Sequence, residues 1–208
     1  MSARLALVFL FSLVLAAVSL RAEDTHTVVF FGDSLTAGYG LDDPASEAYP
    51  ALIQEKITAA KLPWRVVNAG LSGETTSGGL RRVEWILRQP VDVFVLVLGA
   101  NDGLRGIEPA VSSANLQGII DRVHAKDPAA KIVLVGMQMP PNFGEEYTRA
   151  FAAMYPALAA KNHLTLVPFL LEGIGGRSEL NQPDGIHPTA QGHAIAAETV
   201  WRALRPLL

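Results

Sequence analysis

The chain contains no cysteine. That absence excludes disulfides, thiolate metal centres, a thiol nucleophile and a lipid-modified cysteine anchor. A chain without covalent staples must rely on its apolar core, and 208 residues are enough to build one. Charge is also scarce: Asp, Glu, Lys and Arg make up 18% of the residues while half are apolar, which excludes a disordered chain. With 17 basic against 20 acidic residues and no basic run, the sequence offers no footprint for nucleic acid. There is no internal repeat, low-complexity tract or linker, so one domain is expected. Asp33, Asp92, Asp102 and Asp184 are scattered without ligand spacing, and neither a metal nor another cofactor is expected.

One long apolar run is present, Leu5 to Leu20, preceded by Arg4 and followed by Arg21-Ala22-Glu23-Asp24. A positive start, a short apolar stretch and a small residue before acidic ones read as a secretory signal peptide over residues 1–22, leaving a domain over 23–208. The run is short for a span of ~20 residues. No stable membrane anchor is therefore expected after cleavage, and the expected location is periplasmic or secreted. Loss of Arg4 and Arg21 leaves 15 basic against 20 acidic residues and moves the formal charge from −3 to −5.

The remainder alternates strand-like runs with helical patterns. Thr27 to Phe31, Arg65 to Gly70, Val91 to Gly99, Lys131 to Met137 and Leu164 to Pro168 read as strands; Val91 to Gly99 is apolar on both faces, as a central parallel strand should be. Between them, Ala48 to Lys61, Thr76 to Arg88, Pro109 to Lys126 and Glu145 to Lys161 carry apolar residues at helical spacing, and a last helix runs from about Pro188 to Leu204. Such alternation predicts an α/β domain with a parallel sheet and helices on both faces.

Polar residues gather just after the strands. Ser34 follows the first, in Gly32-Asp33-Ser34-Leu35. Asn68, Ser72, Gly73 and Glu74 lie at or after the end of the second, and Asn101 and Asp102 follow the third. Asp184 and His187 precede the last helix, in Asp184-Gly185-Ile186-His187-Pro188. Loops at the carboxyl edge of a parallel sheet converge, so these residues could form one site. A serine hydroxyl needs a neighbouring base before it attacks, and His187 could supply one. Asp184, three residues earlier, could fix the imidazole tautomer. The Ser34 and Gly73 backbone N–H groups and the Asn101 amide could stabilise a tetrahedral oxyanion. Asp33 reads as a cap of the turn that presents Ser34, Asn68 as a buried hydrogen-bonded support, and Asp102 as a brace of the Asn101 loop with Arg105 as its ion partner. His26, His124, His163 and His193 have ordinary explanations as surface or helix residues.

These four blocks, in order and spacing, resemble the signature blocks of the SGNH (GDSL) hydrolases, over essentially the whole mature chain. Asn101-Asp102-Gly103-Leu104-Arg105-Gly106 and Met139-Pro140-Pro141-Asn142-Phe143-Gly144 are similar to the bacterial multifunctional esterase branch, called thioesterase I, protease I, lysophospholipase L1 or arylesterase. The resemblance implies a flavodoxin-like, three-layer domain, a five-stranded parallel sheet of order 2-1-3-4-5, no metal, and hydrolysis through an acyl-serine. It implies Ser34 as nucleophile, Gly73 and Asn101 with Ser34 as oxyanion donors, His187 as base and Asp184 as its orienter. Ala100 stands where glycine is common among relatives. The Gly-x-Ser-x-Gly elbow of α/β-hydrolases is absent around Ser34.

Leu35, Leu71, Met137, Met139 and Phe143 lie near the predicted rim, with Thr75 to Leu80 and Pro140 to Gly144, Pro141 included, as walls. Their apolar character leans towards an acyl chain, hence a small-molecule acyl ester or thioester as substrate; the sequence carries no signal of oligomeric state, and a monomer is the favoured expectation. A carbohydrate O-deacetylase on the same fold and a non-catalytic binding module are the alternatives. The first needs a polar cleft and the second an inert serine.

Overall fold

The strand-like run that is apolar on both faces forms the centre of the sheet. β3 (Val93–Val97) is buried along its whole length. It lies between β1 (His26–Gly32) and β4 (Lys131–Val135), with β2 (Trp64–Gly70) beyond β1 and β5 (Thr165–Val167) beyond β4. Every pairing is parallel and the order is β2-β1-β3-β4-β5, as the resemblance implies. The computed structural model describes residues 25–208, so the expected signal peptide over 1–22 and the domain start at residue 23 fall outside the described residues.

Parallel strands require long crossovers, and helices supply them. α1 (Ser34–Ala37), α2 (Pro44–Glu47) and α3 (Tyr49–Ala59) connect β1 to β2, and α4 (Thr76–Ile86) leads to β3. α5 (Ala100–Leu104) and α6 (Pro109–Lys126) lead to β4, α7 (Glu145–Asn162) leads to β5, and α8 (Ala190–Leu204) closes the fold. α3 packs on α8, and α6 packs on both α4 and α7, giving a helical layer on each face. The apolar stripes do this work: Ile53 and Ile57 of α3, and Leu116, Ile119 and Ile120 of α6, are fully buried. Phe30, Phe31 and Phe94 are also completely buried at the centre, each worth about 1.5–3 kcal/mol of apolar burial. Among the described residues, no helix is long and apolar enough to cross a membrane.

Two local readings need correction. Ala100–Leu104 is helical where a loop follows the third strand in the sequence reading, because five residues are too few to show a period. Asn68 is exposed rather than buried, since β2 is an edge strand with one neighbour. It is still a hydrogen-bonded support, donating to the Thr36 carbonyl at 2.8 Å and accepting from the Gly70 N–H at 3.0 Å.

The order β2-β1-β3 reverses direction between β1 and β3. At such a switch point the loops leaving adjacent strands turn to opposite faces and leave a crevice. Ser34 follows β1, and Asn101 follows β3 across that crevice.

Candidate active site

The turn after β1 is built by two residues. Gly32 has no room for a side chain: a Cβ there would stand 2.0 Å from Thr36 Oγ1 and 2.9 Å from the Val97 carbonyl. Asp33 caps α1, its Oδ1 accepting the Leu35 N–H at 3.0 Å. The chain therefore leaves the sheet sharply, and Ser34 becomes the first residue of the short helix. Asp33 is fully buried, and that burial pushes its carboxyl up to about 7 despite the opposing Leu35 hydrogen bond.

A second turn brings the histidine. Asp184 Oδ1 accepts the N–H groups of Ile186 at 2.9 Å and His187 at 3.0 Å. Its Oδ2 lies 2.6 Å from His187 Nδ1, and His187 Nε2 lies 2.9 Å from Ser34 Oγ. With Nδ1–H donated to the carboxylate, Nε2 is free to accept the serine proton. Partial burial pushes the Asp184 carboxyl up, but the His187 N–H, the imidazole and the Ile186 N–H outweigh it and hold it at about 2. The Tyr39 ring leans on the imidazole, with centroids 4.7 Å apart.

Three hydrogen-bond donors face this hydroxyl's surroundings. Gly73 has φ +78°, a conformation that favours glycine, and open space where a Cβ would be. Neither the Ser34 nor the Gly73 N–H meets an acceptor among the described residues. Asn101 Nδ2 donates to the Glu74 carbonyl at 3.1 Å and stands 3.5 Å from Asp33 Oδ2, a contact too long to hold its second hydrogen firmly. Ser34, Gly73 and Asn101 all border one cleft. An oxyanion formed at Ser34 could take these donors together.

Asp102 braces the Asn101 loop as expected, but with other partners. Fully buried, it accepts the Thr76 N–H at 2.8 Å, the Thr76 hydroxyl, and the Ser112 hydroxyl at 3.0 Å. Arg105 is not its ion partner; the guanidinium instead donates to the Gly73 carbonyl at 3.2 Å. His193 is a buried helix residue whose Nδ1 accepts the Tyr49 N–H at 3.2 Å. Burial first, then the nearby His187, lower its pKa to about 4, so it stays neutral in the core. Glu74 and Arg82 form a largely buried ion pair at the Gly73 loop, a contact between α4 and that loop that sequence spacing does not signal.

The cleft measures about 650 Å³. Leu104 of α5, and Met137, Met139, Pro140 and Pro141 of the loop after β4, line it, with Leu35 of α1 next to Ser34. Tyr39 and Ile186 line it beside His187, and Phe169 and Leu171, from the segment after β5, complete the lining. Leu71 and Phe143 fall outside the lining: Leu71 is half exposed, and Phe143 stacks on Tyr147 at 6.3 Å. The Thr75–Leu80 stretch is not a wall either, because Thr76, Gly78 and Gly79 are buried inside the start of α4. Tyr39, Leu104, Phe169, Leu171 and Ile186 belong to the lining and are not singled out by the sequence. They are single apolar residues in irregular loops or a short helix, where no periodicity marks a face.

A family model for the GDSL-like lipase/acylhydrolases matches residues 30–195. The esterase TesA of Pseudomonas aeruginosa is 42% identical over 184 residues, covering 88% of this chain and 90% of that protein. The thioesterase 1/protease 1/lysophospholipase L1 of Escherichia coli is 38% identical, covering 94% of this chain and 91% of its own. Among solved structures, a crystal structure of TesA superposes with a TM-score of 0.83 over 88% of this chain and all of that one. The psychrotrophic esterase EstA from a Pseudoalteromonas species, inhibited by monoethylphosphonate, is 30% identical with a TM-score of 0.81, covering 87% of this chain and 97% of that one. Fold, strand order and sequence agree, and the chain belongs to the GDSL-like lipase/acylhydrolase family of ester hydrolases.

Proposed function

We propose that the enzyme cleaves carboxylic acyl esters, and acyl thioesters, in two steps through an acyl group carried on Ser34. Ser34 Oγ attacks the carbonyl carbon while His187 Nε2 takes its proton. The carbonyl oxygen, now negative, is held by the Ser34 and Gly73 N–H groups and the Asn101 amide. Collapse of this adduct breaks the bond to the leaving alcohol or thiol, which receives the proton from His187. Water then repeats the sequence, losing a proton to His187 and releasing the acid and free Ser34. Asp184 keeps the imidazole in the required tautomer and stabilises the imidazolium that forms in each half. The observation that carries this reading is the unbroken line Asp184–His187–Ser34, with spacings of 2.6 and 2.9 Å, ending at the mouth of an apolar cleft.

The leaving group must depart toward His187, the side of Tyr39 and Ile186. The acyl chain then lies on the opposite side, along Leu104, Met137 and Met139. This lining favours an acyl chain over an acetylated sugar, which would ask for several polar partners. Esterase, thioesterase, lysophospholipase and arylesterase in the names of similar proteins support the same substrate class. The N-terminal run over residues 1–22 supports export, with residues 23–208 as a mature monomer in the periplasm or outside the cell. Rates on p-nitrophenyl esters from acetate to dodecanoate, on the matching acyl-CoAs and on acetylated xylose test the reading. Medium-chain esters should be turned over fastest and the sugar slowest; a preference for the sugar would overturn the acyl assignment.

A further inference from the structure

Arg82 projects from α4 beneath the site and makes contacts with three separate pieces of chain. Its Nε pairs with the Glu74 carboxylate, in a pair whose side chains are 21% and 8% exposed. Its Nη2 donates to the Gly32 carbonyl at 3.1 Å and to the Ala69 carbonyl at 3.0 Å. The guanidinium carbon sits 4.0 Å over the Phe31 ring. Gly32 is the last residue of β1 and precedes Asp33-Ser34. Ala69 lies at the end of β2. Glu74 follows Gly73 directly, and its carbonyl is the one that holds Asn101 Nδ2.

These positions matter because the Ser34 and Gly73 N–H groups come from different loops, one after β1 and one after β2. The Gly32 carbonyl is their junction: it accepts the Leu71 N–H at 3.0 Å as well as Arg82 Nη2. Arg105 holds the Gly73 loop from outside, through an exposed contact with the Gly73 carbonyl. From below, Arg82 reaches both loops at once. Its planar fork fixes direction as well as distance, which a lysine cannot do.

We propose that Arg82, paired with Glu74, is a positioning residue that sets the spacing between the Ser34 and Gly73 oxyanion donors. The inference rests on the oxyanion role proposed above for those two groups. A bland structural ion pair would stabilise the fold and leave chemistry unchanged. Removing a positioning residue weakens binding of the transition state more than of the ground state.

The test uses Arg82→Lys, Glu74→Gln and the double variant Arg82→Met/Glu74→Gln, which leaves no orphaned buried charge. The ester kinetics are read per folded molecule, with an alkylboronic acid as tetrahedral mimic. A misplacement of about 1 Å costs on the order of 10²-fold, so the double variant should lose roughly 10–100-fold in kcat. Its KM should stay within about 2-fold, and its boronate Ki should weaken as kcat/KM does. Arg82→Lys should recover only part, because it restores charge without the fork. If the folded variants keep wild-type kcat and boronate affinity, with only the melting temperature lowered, the positioning role is wrong. Ser34→Ala and Asn101→Ala run beside them separate the two ideas: full activity in these would overturn the proposed site itself, whatever Arg82 does.

Discussion

Asp33 stands beside the proposed nucleophile, yet its strongest measurable effect should be on stability. Asp33 is 1% exposed; its Oδ1 accepts the Leu35 N–H, and among the described residues its other oxygen has only the 3.5 Å contact with Asn101. Burial raises its pKa from 3.8 to about 7, and the negative charge of Asp102 adds to the rise. The folded protein therefore holds this proton more tightly than the unfolded chain. The stability this confers is full below about pH 4 and is lost as pH rises through about 7. Three pH units at about 1.4 kcal/mol each amount to roughly 4 kcal/mol. Asp33→Asn removes the ionisation and keeps a side-chain oxygen for the cap. Its amide must then face the Asn101 amide, at a cost of about 0.5–1.5 kcal/mol. The variant should accordingly be more stable than wild type by roughly 2–4 kcal/mol at pH 8, and no more stable below pH 4. Urea unfolding of both proteins at pH 4, 6 and 8, with equal m-values, measures this directly. A variant less stable at pH 8, or one whose difference from wild type is the same at every pH, would refute the reasoning.

The other expectations concern the same crevice. Ser34→Ala or His187→Ala should each lower kcat by about 10⁴-fold or more on a medium-chain ester, because the groups act as a unit. Asn101→Ala should cost on the order of 10²–10³-fold in kcat, the usual loss for one oxyanion donor. Asp184→Asn should cost less than Ser34→Ala, and an unchanged rate would remove the carboxylate from the mechanism. His193, lowered to about 4, acts on stability in the opposite sense to Asp33. It stays neutral in the fold while the unfolded chain takes up a proton, so its contribution rises with pH between about 4 and 6.5. With Asp33→Asn as background, urea unfolding should show stability climbing by roughly 3 kcal/mol over that window, and His193→Leu should flatten the climb.

The parts of the molecule that obey a period were legible in the sequence. Five apolar runs became five parallel strands, and the stripes Ile53/Ile57 and Leu116/Ile119/Ile120 became buried helix faces. The residues brought together by the switch point were also legible, because each follows a strand or precedes a helix with a glycine or proline within two residues. What stayed hidden depends on contacts between distant loops. Arg105 points to Gly73 rather than Asp102, since Asp102 is already filled by Thr76 and Ser112. Phe143 turns back onto Tyr147 of α7 rather than into the cleft. Arg82 reads as an ordinary charged residue of an amphipathic helix until the fold places Gly32, Ala69 and Glu74 around it.

The role of Ser34 is tested most directly by covalent capture. Full-length protein treated with an alkyl fluorophosphonate should gain one adduct by intact mass, and peptide mapping should locate it on Ser34. Ser34→Ala should take up none, and His187→Ala should react far more slowly because its serine keeps its proton. An adduct on another residue, or hydrolysis of esters at the wild-type rate by the unlabelled Ser34→Ala protein, would contradict the mechanism.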